Sequence, residues 1–259
     1  MSAWRAMFSR KWVFATLFVL TGAVVCARLG IWQLDRLTQR RLFNAHYSEI
    51  VQESTLILDA SQTLDLTTMD YRSVIVKGIY DPTKSVALRN QYHDNQPGYF
   101  LLTPLVLADG SAILIERGWI PSEGNSTPAD WRKYDQPGEV TIKGIIRVGE
   151  AQPEVGGVPD PELIPGQTHL DFWNIVNVVR ISQQVPYKLP PVFIQPDLAP
   201  DLSVPPFPYQ PVVEISEGPH MGYALQWFTF GSILVFGYPF FLKKQLASRY
   251  ISEISEENK

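Results

Sequence analysis

The sequence predicts an α+β membrane protein in which two transmembrane α-helices flank a mainly β extracytoplasmic domain, antiparallel and in one closure barrel-like. Three observations predict it. Residues 222–242 form an uncharged run of 21. A second apolar run covers residues 12–34. Between them, hydrophobic residues recur in short period-two stretches broken by turn residues. The mean hydropathy of −0.05 hides this division, because two apolar ends are averaged with a polar middle. The expected parts are a cytoplasmic N-terminus (1–11), a first span (12–34), the extracytoplasmic domain (35–218), a second span (219–242) and a cytoplasmic tail (243–259).

A helix needs roughly 20 mainly apolar residues to cross about 30 Å of hydrocarbon. The first run is uncharged from Trp12 to Ala27, is interrupted by Arg28 and resumes to Leu34. At a bilayer centre Arg28 would cost about 2.5–3.5 kcal/mol. Near the end of the run its long side chain reaches the headgroups instead. The run is longer than the core of a signal peptide and no clear A-x-A site follows it, so an uncleaved anchor is expected. Lys243, Lys244 and Arg249 follow the second run, and Arg5, Arg10 and Lys11 precede the first. Both termini are therefore expected in the cytoplasm of a multi-pass plasma or inner membrane protein. Arg36, Arg40 and Arg41 fall on the outer side, against that rule, and ask for another use.

In the middle, helical spacing continues from residue 35 to about 52. Val74, Val76 and Ile79 then alternate with polar residues up to a turn at Asp81-Pro82. Residues 86–88 read as a short strand. Residues 100–107 and 112–119 flank Asp109-Gly110, the strongest hairpin signal in the chain. Residues 140–148 alternate again, 151–167 form a Pro/Gly-rich loop, 172–181 read as a short helix, and 192–195 as another strand. Most of the 21 prolines lie from Pro153 onward, where long irregular connections are expected.

The net charge of −4 gives no electrostatic case for a nucleic-acid partner. A single cysteine, Cys26, excludes an internal disulfide or a cysteine metal cage. No P-loop, G-x-G-x-x-G, G-x-S-x-G or H-E-x-x-H occurs, so an enzyme is not expected. His46, His93 and His169 lack ligand spacing. His220 is different: it opens the second span just after Pro219, a residue favoured at helix starts. Tyr223, Ala224 and Trp227 share its helical face. Imidazole is a usual axial ligand of haem iron, and a helix N-terminus favours the neutral ring that a ligand requires. The other reading is an interfacial histidine beside an aromatic belt. On the first span Arg28, Trp32, Arg36 and Arg40 recur at i+4, suiting either propionate carboxylates or lipid phosphates. Gly30 would allow a close helix–helix approach. Glu116-Arg117-Gly118-Trp119 ends a strand, where cross-strand ion pairing is expected ahead of partner docking.

Together these segments resemble the surfeit locus protein 1 family of cytochrome oxidase assembly factors. The residues that carry the resemblance are Leu29-Gly30-Ile31-Trp32-Gln33-Leu34-Asp35-Arg36, Tyr71-Arg72, Gly78-Ile79-Tyr80-Asp81, Pro97-Gly98-Tyr99, Ile115-Glu116-Arg117-Gly118-Trp119 and His220-Met221-Gly222-Tyr223. The resemblance implies haem a binding or insertion into subunit I of cytochrome c oxidase, alongside other oxidase assembly proteins, with no reaction of its own. It marks His220 as the metal ligand and makes Tyr223, Trp227, Arg28, Trp32 and Arg36 candidate cofactor contacts. Glu217, Gly218 and Pro219 stand where family members often carry asparagines. The alternative function is a cofactor-free scaffold that steadies an oxidase subunit.

Overall fold

The computed structural model describes residues 6–59, 64–153, 155–198 and 203–257, with side chains as far as residue 248. Arg5 and the side chain of Arg249 thus lie outside the described part. The chain divides into two compact units: Met1–His46 with Glu214–Lys259, and Tyr47–Val213.

The first unit is helical. Helix α1 is continuous over Val13–Gln52, as the uninterrupted helical spacing beyond the apolar run requires. At about 1.5 Å per residue a helix of 40 residues is about 60 Å long. The second apolar run starts α4 (His220–Ser232), passes through a single π turn at Ile233–Gly237 and continues as α5 (Tyr238–Glu257). Pro239 follows that turn. Its missing N–H and its ring both disfavour an unbroken i→i−4 ladder there, which the wider turn accommodates. Both helices are long and apolar enough to cross a membrane. They pack closely at glycines. A Cβ on Gly30 would lie 2.7 Å from the Phe228 ring, and one on Gly22 would lie 3.2 Å from Leu234. Gly30 thus allows the close approach its small size suggested.

The second unit is a mixed sheet of eight strands: β1 (Leu56–Leu58), β2 (Ser73–Tyr80), β3 (Val86–His93), β4 (Gln96–Val106), β5 (Ala112–Pro121), β6 (Glu139–Val148), β7 (Phe172–Trp173) and β8 (Val192–Pro196). Their order is β1-β2-β6-β8-β5-β4-β3-β7, with the end of β2 also pairing β4. The expectation of an antiparallel sheet is corrected here. β1–β2, β3–β7 and β5–β8 are parallel pairs. Each of these pairs is joined through a long stretch of chain, as parallel neighbours require.

Local chemistry explains most of the boundaries. Asp109-Gly110 turns β4 into β5, with Asp109 accepting from Ser111 N–H and Gly110 at φ +83°. β3 is longer than residues 86–88, because Asp94 (φ 48°) and Asn95 (φ 64°) form a tight turn into β4. Successive left-handed residues match the right-handed twist of a hairpin. Residues 172–181 are not one helix. Phe172–Trp173 adds to the edge of β3, and only Val178–Ser182 (α3) is helical, capped by Asn177. A further short helix, α2 (Pro128–Trp131), carries a capping box between Thr127 and Asp130.

Both faces of the sheet are covered. Val74, Val76, Tyr80, Ile113, Ile115, Ile146 and Ile194 form one core. Leu88, Phe100, Leu102, Leu114, Trp119, Trp173, Ile181 and Phe193 form the other. β5 is consequently buried from Ala112 to Ile120, as expected for a central strand apolar on both sides.

Candidate functional site

In the helical unit, α1 grips the chain that leads into α4. Arg40 donates from Nε to the Ser216 carbonyl (2.9 Å) and from Nη2 to that of Glu214 (2.6 Å). Asn44 adds a bond to Ser216 (3.1 Å). Arg41 holds both carboxylate oxygens of Glu217 at 2.8 and 2.9 Å, which keeps that carboxyl below its usual range. Two of the three arginines that run against the charge rule, Arg40 and Arg41, are therefore clamps on the entry to the second apolar helix.

That clamp sets the place of His220. Gly218 turns the chain at φ +65° and Pro219 starts the helix, its carbonyl accepting from Tyr223 N–H at 3.1 Å. The Nδ1 of His220 then meets Oε1 of Gln33, buried in α1, at 2.8 Å. A carboxamide oxygen only accepts, so Nδ1 is the donor of this pair, and in the neutral tautomer that fits it the lone pair is on Nε2. The backbone of Gly218 lies on that second nitrogen's side, where a Cβ would stand 3.5 Å from Nε2.

The other expected residues are placed as follows. Tyr223 is exposed, and Trp227 is half-buried edge-on to Phe230 at 6.1 Å. Arg28, Trp32 and Arg36 are exposed on α1, with the Arg36 guanidinium over the Trp32 ring at 5.6 Å. The buried positions in the middle of α1 are instead Cys26, Gly30, Gln33 and Leu37, spaced three and four apart. Gln33 and Gly218 were missed from sequence. The available signal was a lone carboxamide inside an otherwise apolar run. Among the described residues no three His, Cys, Asp or Glu side chains cluster as a metal cage.

A second polar cluster lies inside the β unit, around Glu116 and Arg117. Opposite them Leu101 pairs Gly118 while Leu102 pairs Glu116, so Arg117 is the extra residue of a β-bulge. The expected cross-strand ion pair is absent among the described residues, because the bulge turns both side chains inward. Glu116, 3% exposed, accepts from Nε2 of Gln195 at 3.0 Å. Arg147 donates to Gln195 Oε1 (3.1 Å) and to Asp70 (3.0 Å), and stacks over Tyr71 at 4.3 Å. Burial pushes the Glu116 carboxyl up to about 7, against the opposing pull of Gln195 and Arg147. The Arg117 guanidinium lies 4.8 Å over the Tyr80 ring and donates to the Tyr134 carbonyl. Burial lowers its pKa.

Comparison with known proteins places this arrangement. The profile of the SURF1 family matches residues 20–232, which include most of the first apolar run, the first half of the second and the whole sheet. The chain belongs to the SURF1 family. It is similar to a SURF1-like protein of Caenorhabditis elegans, 27% identical over 243 residues, covering 85% of this chain and 72% of that one. A SURF1-like protein of Rickettsia bellii is 31% identical over 126 residues, 48% of this chain and 50% of the relative. The cytochrome oxidase assembly protein SHY1 of Saccharomyces cerevisiae is 30% identical over 118 residues, 45% of this chain and 30% of that one. Within this SURF1 family chain, the His220–Gln33 pair and the Glu116–Arg117 cluster both fall inside the matched segment.

Proposed function

We propose that this SURF1 family protein is a membrane-anchored assembly factor for cytochrome c oxidase. It holds haem a as cargo through His220 during maturation of subunit I, without a reaction of its own. The assembly role is supported by family membership and by the name of the yeast relative. The observation that carries the haem role is the His220–Gln33 pair. It fixes the ring, orients it and leaves Nε2 as a lone-pair donor. An outer partner of this kind is what orients a metal-ligating histidine.

The residues fit an axial imidazole ligand. Glycine at 218 keeps the space beside Nε2 clear, where any larger side chain would stand. Arg40 and Arg41 are engaged with the Glu214–Glu217 segment. Arg28 and Arg36 are exposed and carry no carboxylate partner among the described residues, so they are the guanidiniums assigned to the propionates. Tyr223 and Trp227 offer aromatic faces on the helix that His220 opens. In the membrane, α1 and the α4–α5 helix are the two spans. Lys243 and Lys244 face the cytoplasm and the β unit lies on the opposite side.

The test is purification from cells that make haem a, with the absorption spectrum and haem-to-protein ratio of the wild type, His220→Ala and Gln33→Leu. The wild type should carry haem and His220→Ala should lose it. Gln33→Leu should bind about 10–100-fold more weakly, with a shifted spectrum. A haem-free wild type, or a His220→Ala protein with unchanged loading, overturns the ligand role.

A further inference from the structure

The β unit holds a cleft of about 300 Å³ lined by Tyr80, Arg117, Thr141, Lys143, Asp197 and Pro208, among others. That is near the lower end of ligand-pocket sizes, about 300–1,000 Å³. Its floor is the bulge of β5. Its far wall is a strap, residues 203–213, tied to the sheet by several contacts. Trp119 and Phe207 exchange backbone bonds at 2.8 and 2.9 Å. Their rings stack with centroids 6.0 Å apart. Gln210 reaches the carbonyl of Pro196 at 3.1 Å. The cleft is therefore built from the sheet and a tethered segment rather than from loose loops.

Arg117 is the unusual member. It is 9% exposed, yet no carboxylate forms an ion pair with it among the described residues. Asp135, which acts on it electrostatically, is taken by Arg132 at 2.8 Å. A buried cation without a paired anion is costly, and a guanidinium presents a planar fork suited to a carboxylate. The charged groups on the walls are Arg117 and Lys143 against Asp197, which lies 3.4 Å from Lys143. This leaves one net positive charge, which matches a monoanion better than a dianionic phosphate. Tyr80, Ile142, Pro196 and Pro208 supply apolar flanks beside that charge.

We propose that this cleft is a carboxylate-binding site in which Arg117 receives the anion and Lys143 assists. Its source is either the end of a partner polypeptide or a small free carboxylate. The site is independent of the haem role, since it lies wholly in the β unit.

Isothermal titration calorimetry on the full-length protein in detergent tests it, with an N-acetylated tripeptide bearing a free C-terminal carboxylate, its C-terminal amide, and acetate. Saturable binding of a carboxylate probe should be at least tenfold weaker in Lys143→Gln and absent in Arg117→Gln. It should be tighter in Asp197→Asn. Binding of the tripeptide alone assigns a polypeptide end as the source, and comparable binding of acetate assigns a small carboxylate. Should Arg117→Gln not fold by circular dichroism, Lys143→Gln, altered at an exposed side chain, decides by the same criterion. No saturable heat with any probe, equal binding of the amide, or affinity unchanged in the variants overturns the proposal.

Discussion

Replacing Glu116 by glutamine should stabilise the β unit at pH 8 and cost about 1 kcal/mol near pH 4. The folded state keeps this carboxyl protonated up to about 7, whereas its ordinary value is 4.5. Between those values the folded protein binds more protons than the unfolded chain, so stability falls as pH rises. At about 1.4 kcal/mol per pH unit, the gap amounts to up to about 3 kcal/mol lost in the wild type by pH 8. Glutamine carries no charge at any pH and still accepts from Gln195. Its new amide group must find a partner, at a cost of about 1 kcal/mol. The net expectation is a gain of about 1–2 kcal/mol at pH 8. Urea unfolding followed by tryptophan fluorescence reports it, because Trp119, Trp131 and Trp173 are all buried in this unit. Parallel pH profiles for the two proteins, or a glutamine variant less stable at pH 8, would refute the reasoning.

Two further pairs of outcomes follow from glycines. Gly30→Ala places a methyl group 2.7 Å from the Phe228 ring and should lower helical-unit stability by about 1–3 kcal/mol, read as an earlier midpoint in detergent denaturation. Gly222→Ala, with nothing within 4 Å, should be neutral in the same assay. Gly118→Ala combines φ +127° with a Cβ 2.4 Å from the Phe207 backbone, so the strap must detach or the strand must shift. We expect more than about 3 kcal/mol of destabilisation in thermal melts, whereas Gly110→Ala, at φ +83° in open space, should cost only about 1–2 kcal/mol.

Much of the architecture was legible because it rests on local patterns. The two apolar runs, the extension of α1 to Gln52 and the Asp109-Gly110 hairpin each follow from periodicity or turn chemistry within a dozen residues. The parallel pairs were not legible, since β5 meets β8 across some 70 residues and nothing local records that partnership. The turn at Asp94-Asn95 lacked the glycine that marks such turns, and β3 was read too short. At the site, His220 stood out by its place at a helix start. Gln33 became visible only when α1 lay against α4 and brought two polar side chains 187 residues apart to 2.8 Å. Glu116 and Arg117 were misread because strand alternation assigns neighbours to opposite faces, and a bulge suspends that rule.

That bulge acts on β5 as a frameshift acts on a reading frame. Up to Arg117 the odd-numbered Ile113 and Ile115 serve one core and the even-numbered Leu114 the other; past it, odd-numbered Trp119 joins the core of Leu114. One inserted residue thus swaps the parity of everything downstream. The pairing partners Leu101 and Leu102 are adjacent across the gap. A strand lacking Arg117 alone would therefore keep every other side chain on its present face. The residue is supernumerary to the ladder, and what it contributes is its charge.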